Sequence, residues 1–301
     1  MPRTPFPPTV RTHRWEGFEY CSRVARSAEP RFDPVVLIGG AMQRKEDWGR
    51  IEQGLLDGAD VICPDLPGWG AADLLPPQHG AELLAGALRR LLDDLELERV
   101  NLFAGSYGTA IAYRLAQTDP ERIARMVLAG AMSAIPADMR PMMRRALDLA
   151  ASGARERFGP TAVETLMNGD PRVDIASATV VQRILGLRFG NPTAEEIAKF
   201  TANTERLLDR ELIDRSPEPV VPVVVVAGEH DTITTPELCR ELALTCRESW
   251  FVEMSRADHL IHLERSAELV DLMTRFFSRR TITDLPYATV VEDLRRIPAL
   301  A

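Results

Sequence analysis

Residues 99 to 117 pattern as a strand, a tight turn and a helix with a serine on the turn, and this unit constrains the chain more than any other stretch. Arg99-Val100-Asn101-Leu102-Phe103 alternates and carries β-branched and aromatic residues, as a strand does. Thr109 to Gln117 has helical spacing, with Ala110, Ile111 and Leu115 facing inward. Between them lies Ala104-Gly105-Ser106-Tyr107-Gly108. So tight a turn forces unfavourable backbone angles and close neighbours, which requires a small residue two positions either side of the serine. Ala104 and Gly108 meet that requirement. An inert serine in a small-residue turn fits these five positions too, so Ser106 reads as a nucleophile only if the chain also supplies a base, an acid and an oxyanion site.

The same alternation recurs on both sides of this unit. Val35-Val36-Leu37-Ile38 is a buried strand ending in Gly39-Gly40, Glu46 to Leu56 reads as a helix, and Asp60-Val61-Ile62-Cys63 as the next strand. Ala81 to Leu95 gives a further helix and Met126-Val127-Leu128-Ala129 a further strand. Short apolar strands alternating with amphipathic helices predict an α/β fold, a mostly parallel central sheet flanked by helices. From Ala134 to about Pro219 the strand signal fades, and several short helices are expected with Met139, Met142, Met143, Leu147, Leu166 and Met167 as apolar anchors. Strands resume at Val220 to Ala227 and Glu248 to Val252, and Glu264 to Ser278 closes the pattern as a helix. An all-helical insertion into one sheet explains this better than a separate domain. The expected organisation is therefore a core over 1–133, a helical cap over 134–219, and the rest of the core over 220–301, with a tail from Arg279 to which no role is assigned.

The chain's 301 residues, 45% of them hydrophobic, can bury a large core. A net charge of -8 with no long basic run argues against a nucleic-acid surface. Lys45 and Lys199 are its lysines, and the arginine bias reads as GC-rich codon usage, pointing to a bacterial source. Met1 to Val10 is proline-rich without an apolar leader core, and the longest apolar run, Val220 to Ala227, is broken by Pro222 and too short to span a bilayer. The expectation is a cytoplasmic protein acting on a small molecule, without membrane contact; its oligomeric state is not encoded visibly. Cys21, Cys63, Cys239 and Cys246 lack paired spacing and read as buried free thiols.

A serine hydroxyl needs a histidine to take its proton, and that histidine needs a carboxylate to fix its tautomer. Of the five histidines, His259 follows the last strong strand in Ser255-Arg256-Ala257-Asp258-His259. His13 lies in an N-terminal strand, His79 in a proline-rich loop, His230 is a nearer rival, and His262, one helical turn past His259, supports the site. For the carboxylate, Val220 to Ala227 runs into Gly228-Glu229-His230-Asp231-Thr232, which favours Asp231, with Glu229 as the alternative; Asp258 adjoins His259 but points away if the loop is extended. An ordinary turn or helix cap before Pro236 is the plain reading of Asp231, but Ser, Asp and His in that order, each just beyond a strand, outweighs it. The oxyanion needs two backbone N-H groups. Tyr107 offers one, and Ala41, in Gly39-Gly40-Ala41-Met42, offers the other. No cofactor or metal is expected: a dinucleotide fingerprint and a P-loop are absent, and His259, His262 and Glu264 lack the spacing of a zinc site.

These motifs, with Asp65-Leu66-Pro67-Gly68-Trp69-Gly70 and Asp258-His259-Leu260-Ile261-His262-Leu263-Glu264, resemble the α/β-hydrolase superfamily with a helical cap over most of residues 35 to 278. The Ser-Tyr pair and the following Ala-Tyr-Arg-Leu-Ala helix are similar to the proline iminopeptidase and esterase branch. The resemblance implies a Ser106, Asp231 and His259 triad, an oxyanion hole at Ala41 and Tyr107, and a substrate site reached by Gly40, Met42, Trp69, Met132 and His262. Trp48, Trp69 and the cap methionines individually read as core, while as a group those near the Gly40 and Ser106 loops are candidates for an apolar acyl wall. Two departures stand out: Gly39-Gly40 replaces a His-Gly pair, and Ala104 a glycine. The implied activity is a serine hydrolase of esters, thioesters or lactones of a small to medium apolar metabolite. Alternatives are a non-hydrolytic lyase or cyclase using the same triad, an aminopeptidase-like amide hydrolase with a carboxylate such as Glu164, Asp170, Glu195, Glu196 or Glu205 for a free amine, and a non-catalytic ligand-binding homologue.

Overall fold

The computed structural model describes residues 7–153, 155–209 and 211–296. The chain opens with β1 (Thr9–Trp15) and β2 (Phe18–Ala25), then β3 (Val35–Ile38), α1 (Gly49–Leu55), β4 (Val61–Asp65), α2 (Ala81–Asp94), β5 (Val100–Gly105), α3 (Gly108–Thr118) and β6 (Ile123–Ala129). Four helices follow, α4 (Arg140–Ala151), α5 (Arg155–Leu166), α6 (Ala178–Phe189) and α7 (Ala194–Asp209). The remainder is β7 (Pro222–Gly228), α8 (Pro236–Ala243), β8 (Glu248–Met254), α9 (Ile261–Glu264), α10 (Ser266–Phe277) and β9 (Ala288–Asp293). Among the described residues the strands form one sheet in the order β1-β2-β4-β3-β5-β6-β7-β8-β9. Pairing is parallel from β4 through β8 and antiparallel at both edges.

The apolar runs explain the layering. β3 is buried at all four positions and β7 at all but its first, as strands covered on both faces must be. One face packs with α2, α3 and α8 through residues such as Leu88, Ile111 and Leu242. The other packs with α1 and α10 through Ile51, Leu269 and Phe276. A separate apolar cluster, Phe158, Val181, Leu185 and Phe189, holds α5 and α6 together.

Two expectations are corrected. The helix read from Glu46 begins at Gly49, because Asp65 captures Lys45 through its N-H at 2.7 Å and its ammonium at 2.8 Å and holds that stretch in turns. The closing helix read from Glu264 begins at Ser266 as α10, after a break at Arg265 that separates it from α9, since the Glu264 carboxylate folds back onto the N-H groups of Asp258, at 2.6 Å, and Leu260. The tail contains β9, an antiparallel edge strand on β8; its last five residues, like the first six of the chain, lie outside the described residues. The segment read as a helical insertion holds α4 to α7 and, among its described residues, no strand. No described helix is long and apolar enough to cross a membrane.

The turn at Ser106 depends on Gly108. A Cβ there would sit 2.7 Å from the Gly39 carbonyl oxygen and 2.9 Å from that of Ile38, both backbone atoms that cannot swing away. Gly108→Ala is therefore expected to destabilise the fold by about 1–3 kcal/mol despite the better helix former, read as a lower urea midpoint with an unchanged slope. An unchanged midpoint would mean that α3 and the Gly39 loop are not so closely packed.

Candidate active site

The sheet order reverses between β3 and β5, which opens a crevice at their carboxyl ends. Ile38 lies opposite Ala104, so Gly39-Gly40 and Gly105-Ser106 leave the sheet side by side. A Cβ on Gly40 would stand 3.2 Å from the Ser106 Cβ and 3.8 Å from its Oγ. Ser106 itself has φ of 48°, a strained left-handed angle for a residue with a side chain. The strain is held by backbone bonds: the Ser106 N-H donates to the Ala129 carbonyl at 2.8 Å, and the Ser106 carbonyl accepts from the Thr109 N-H at 2.9 Å and hydroxyl at 2.6 Å.

Two further strand ends deliver the partners. His259, after β8, places Nε2 3.1 Å from Ser106 Oγ and Nδ1 2.9 Å from Asp231 Oδ2. Asp231, after β7, is fixed in turn by the N-H groups of Ile233 at 2.8 Å and Thr234 at 2.9 Å and by the Thr234 hydroxyl at 2.6 Å. Every donor needed to orient the carboxylate is thus supplied from its own turn. Thr234, whose hydroxyl also lies 3.2 Å from His259 Nδ1, is a member that sequence reading missed; no spacing signal marks it.

Burial disfavours charge on both Asp231 and His259, yet each supports the other. The His259 charge and the hydrogen bonds from His259 and Thr234 hold Asp231 below the usual carboxylate range. The Asp231 carboxylate, with smaller help from Asp258 and Glu264, lifts His259 above the ordinary imidazole value. Burial, then the His259 charge, pushes His262 down to about 4, so it stays neutral near pH 7. A histidine that accepts the serine proton must be neutral, so activity should fall as pH drops through a pKa above the ordinary ~6.5. The stabilities run oppositely: the His259 contribution is full below ~6.5 and fades as pH rises through its raised value, whereas that of Asp231 is full above ~3.9 and fades as pH falls through its lowered one. A kcat/KM profile with its acid limb below pH 6 would contradict this assignment.

Geometry alone does not make a site, because the protein contains a second Ser-His-Asp relay. His13 bridges Ser22 Oγ at 2.9 Å and Asp94 Oδ2 at 2.9 Å. Ser22 is fully buried in the sheet and lines neither substantial cavity, so this relay ties β1 and β2 to α2. The other rivals are placed elsewhere. Glu229 accepts the Arg256 N-H at 2.8 Å, Asp258 accepts from the Asn168 N-H, and His79 packs edge-on against Phe18. His230 stands 3.8 Å from Glu229.

Ser106 and His259 open into a cavity of about 770 Å³, walled mainly by apolar side chains. Gly40, Ala41, Met42, Trp48 and His262 line its core side. Trp69 and Met132, expected at the substrate, do not line it. Trp69 is turned into the core, where its indole N-H donates to the Gly40 carbonyl at 2.8 Å and its ring packs against Tyr107; Met132 is buried. The methionines expected as a wall are also absent from it: α4 to α7 contribute Leu149, Phe158, Leu166, Leu185, Phe189 and Phe200 instead. Of the cysteines, Cys63, Cys239 and Cys246 are buried thiols, while Cys21 is half-exposed.

Comparison with known proteins identifies the fold family. The family model for the alpha/beta hydrolase fold matches residues 33–266. A 2-hydroxy-6-oxononadienedioate/2-hydroxy-6-oxononatrienedioate hydrolase of Cupriavidus pinatubonensis is 24% identical over 234 residues, 74% of this chain and 78% of that one. An uncharacterized Mycobacterium tuberculosis protein is 22% identical over 306 aligned residues, covering 96% of this chain and 87% of the other. The enol-lactonase structure from Burkholderia xenovorans LB400 superposes with a TM-score of 0.75 at 21% identity, covering 88% of this chain and 99% of that one.

Proposed function

The chain belongs to the α/β-hydrolase fold family, and from that premise we propose that it is a serine hydrolase that cleaves an ester, thioester or lactone of a small to medium, largely apolar molecule. The observation that carries this reading is the relay from Asp231 through His259 to Ser106, ending at the floor of an apolar cavity. Ser106 Oγ attacks the carbonyl carbon while His259 Nε2 takes its proton, and Asp231 keeps the other ring nitrogen protonated. The developing oxyanion is received by the N-H groups of Ala41 and Tyr107. The Gly40 N-H is directed to the Gln43 side chain at 3.1 Å, which takes it out of that role and supports the next residue, Ala41, as the donor on that loop. His259 then protonates the leaving group, and the same histidine activates water to release the acyl group from Ser106. Helices α4 to α7 act as a cap that supplies the apolar wall, with Gly40, Met42 and His262 meeting the substrate from below. A relative named as a hydrolase supports hydrolysis as the general reaction.

The cavity chemistry sets a test. On a series of p-nitrophenyl esters from acetate to decanoate, kcat/KM should rise by up to about fourfold per methylene until the apolar wall is covered, as burying each CH2 is worth ~0.8 kcal/mol. Val180, 59% exposed at the rim, lines the cavity, so Val180→Asp should reduce that gain while sparing acetate turnover. In heavy-oxygen water the carboxylate product should carry the label. No ester turnover, or an unlabelled alkene or ring product from the physiological substrate, would replace hydrolysis by elimination or cyclisation.

A further inference from the structure

Helix α7 turns a polar stripe inward. Lys199, Asn203 and Arg206 share one helix face and are all buried, Arg206 to 3% exposure. Each grips the long loop after β4: Lys199 Nζ donates to the Gly70 carbonyl at 2.8 Å and Asn203 Nδ2 to that of Gly68 at 3.1 Å. Arg206 reaches furthest. Its Nε donates to the His79 carbonyl at 2.6 Å, and Nη2 to those of Leu75 and Pro76 at 2.8 and 3.1 Å. Nη1 donates to Asn203 Oδ1 at 2.6 Å and to the Tyr107 hydroxyl at 2.9 Å. Among the described residues none of its partners is a carboxylate, so its charge is met by carbonyl and hydroxyl dipoles alone. A buried guanidinium in such a setting is costly unless every N-H is matched, and five bonds match them here.

The same network touches both arms of the proposed oxyanion hole. Tyr107 directly follows the nucleophile, and its hydroxyl is held by Arg206. Trp69, within the gripped loop, donates to the Gly40 carbonyl at 2.8 Å and packs its ring 5.0 Å from that of Tyr107. Gly40 precedes Ala41, the other donor. We infer that Arg206 is a positioning residue that sets the oxyanion hole from the cap side, acting through the Tyr107 hydroxyl; the inference rests on the serine-hydrolase reading above. Its consequence is that a side chain of α7, without touching substrate, governs the chemical step.

The test compares four single variants and one double variant on a p-nitrophenyl ester, after a fluorophosphonate probe has labelled Ser106 in the wild type. Tyr107→Phe keeps the ring and backbone N-H and removes the hydroxyl that Arg206 holds; it should lower kcat about 10- to 100-fold with KM within twofold, the scale of a small misplacement at a reacting group. Arg206→Met should lose as much, and the double variant no more than either alone, because all three break one link. Lys199→Met breaks the same helix-to-loop docking without reaching Tyr107, so it should lower the melting temperature and leave kcat in place. Arg206→Lys, which keeps the charge and one bond, should recover part of the loss. The inference is overturned if Tyr107→Phe keeps full kcat, if the Arg206 and Tyr107 losses multiply, or if Lys199→Met costs kcat equally. Failure of the probe to label wild-type Ser106 would instead remove the parent reading.

Discussion

Ser106→Ala is expected to lower kcat on the best ester substrate by about 10⁴- to 10⁶-fold, with KM and melting temperature nearly unchanged. The size follows from what the substitution leaves. Cavity, His259 and oxyanion donors all remain, so substrate still binds and water at the histidine supplies only residual turnover. Little stability is at stake: the hydroxyl is part-buried, among the described residues its one side-chain partner is His259 at 3.1 Å, and the left-handed backbone at φ 48° is equally strained with alanine. A loss in kcat of tenfold or less, measured on protein free of wild-type contamination, would mean that Ser106 does not attack.

Asp231→Asn should cost about 10⁴-fold in kcat by a different route. The carboxylate accepts four hydrogen bonds, from His259 Nδ1, the Thr234 hydroxyl and the N-H groups of Ile233 and Thr234. An asparagine oxygen can satisfy the two backbone donors at Oδ1, which turns its NH2 group toward His259 and Thr234. His259 then accepts at Nδ1 and carries its proton on Nε2, the atom that faces Ser106, and so cannot take the serine proton. The acid limb of the pH profile should fall as well, since the Asp231 charge is what lifts His259. Full activity with an unmoved limb would assign the acid to another carboxylate.

What could be read from the sequence, and what could not, divides along a physical line. Val35–Ile38 and the strand into Ser106 are set by local apolar pattern, and both strands lie where that pattern places them. Ser106, Asp231 and His259 could be nominated because each follows a strand in a parallel sheet, where connections must emerge at one edge. Arg206 and Asn203 could not, because their partners outside α7 lie more than 95 residues away in chain and their helix reads as an ordinary amphipathic one. Trp69 reads from the sequence as a substrate-site residue, whereas its orientation, indole N-H to the Gly40 carbonyl, is decided by packing that the sequence pattern does not encode. Glu264 sits within a motif that was visible, but its back-bonding to Asp258 and Leu260, which separates α9 from α10, follows from a loop geometry that periodicity does not encode. The pair Ser22 and His13 makes the same point in reverse, since their relay geometry is good and only burial shows that it is structural.

The central claim is that Ser106 is the nucleophile activated by His259, and intact-protein mass spectrometry after brief exposure to a fluorophosphonate tests it most directly. The expected result is one adduct per chain, mapped to the peptide holding Ala104-Gly105-Ser106-Tyr107-Gly108, absent in Ser106→Ala and strongly slowed in Asp231→Asn. An unmodified wild-type chain, or an adduct on any other residue, would contradict the account.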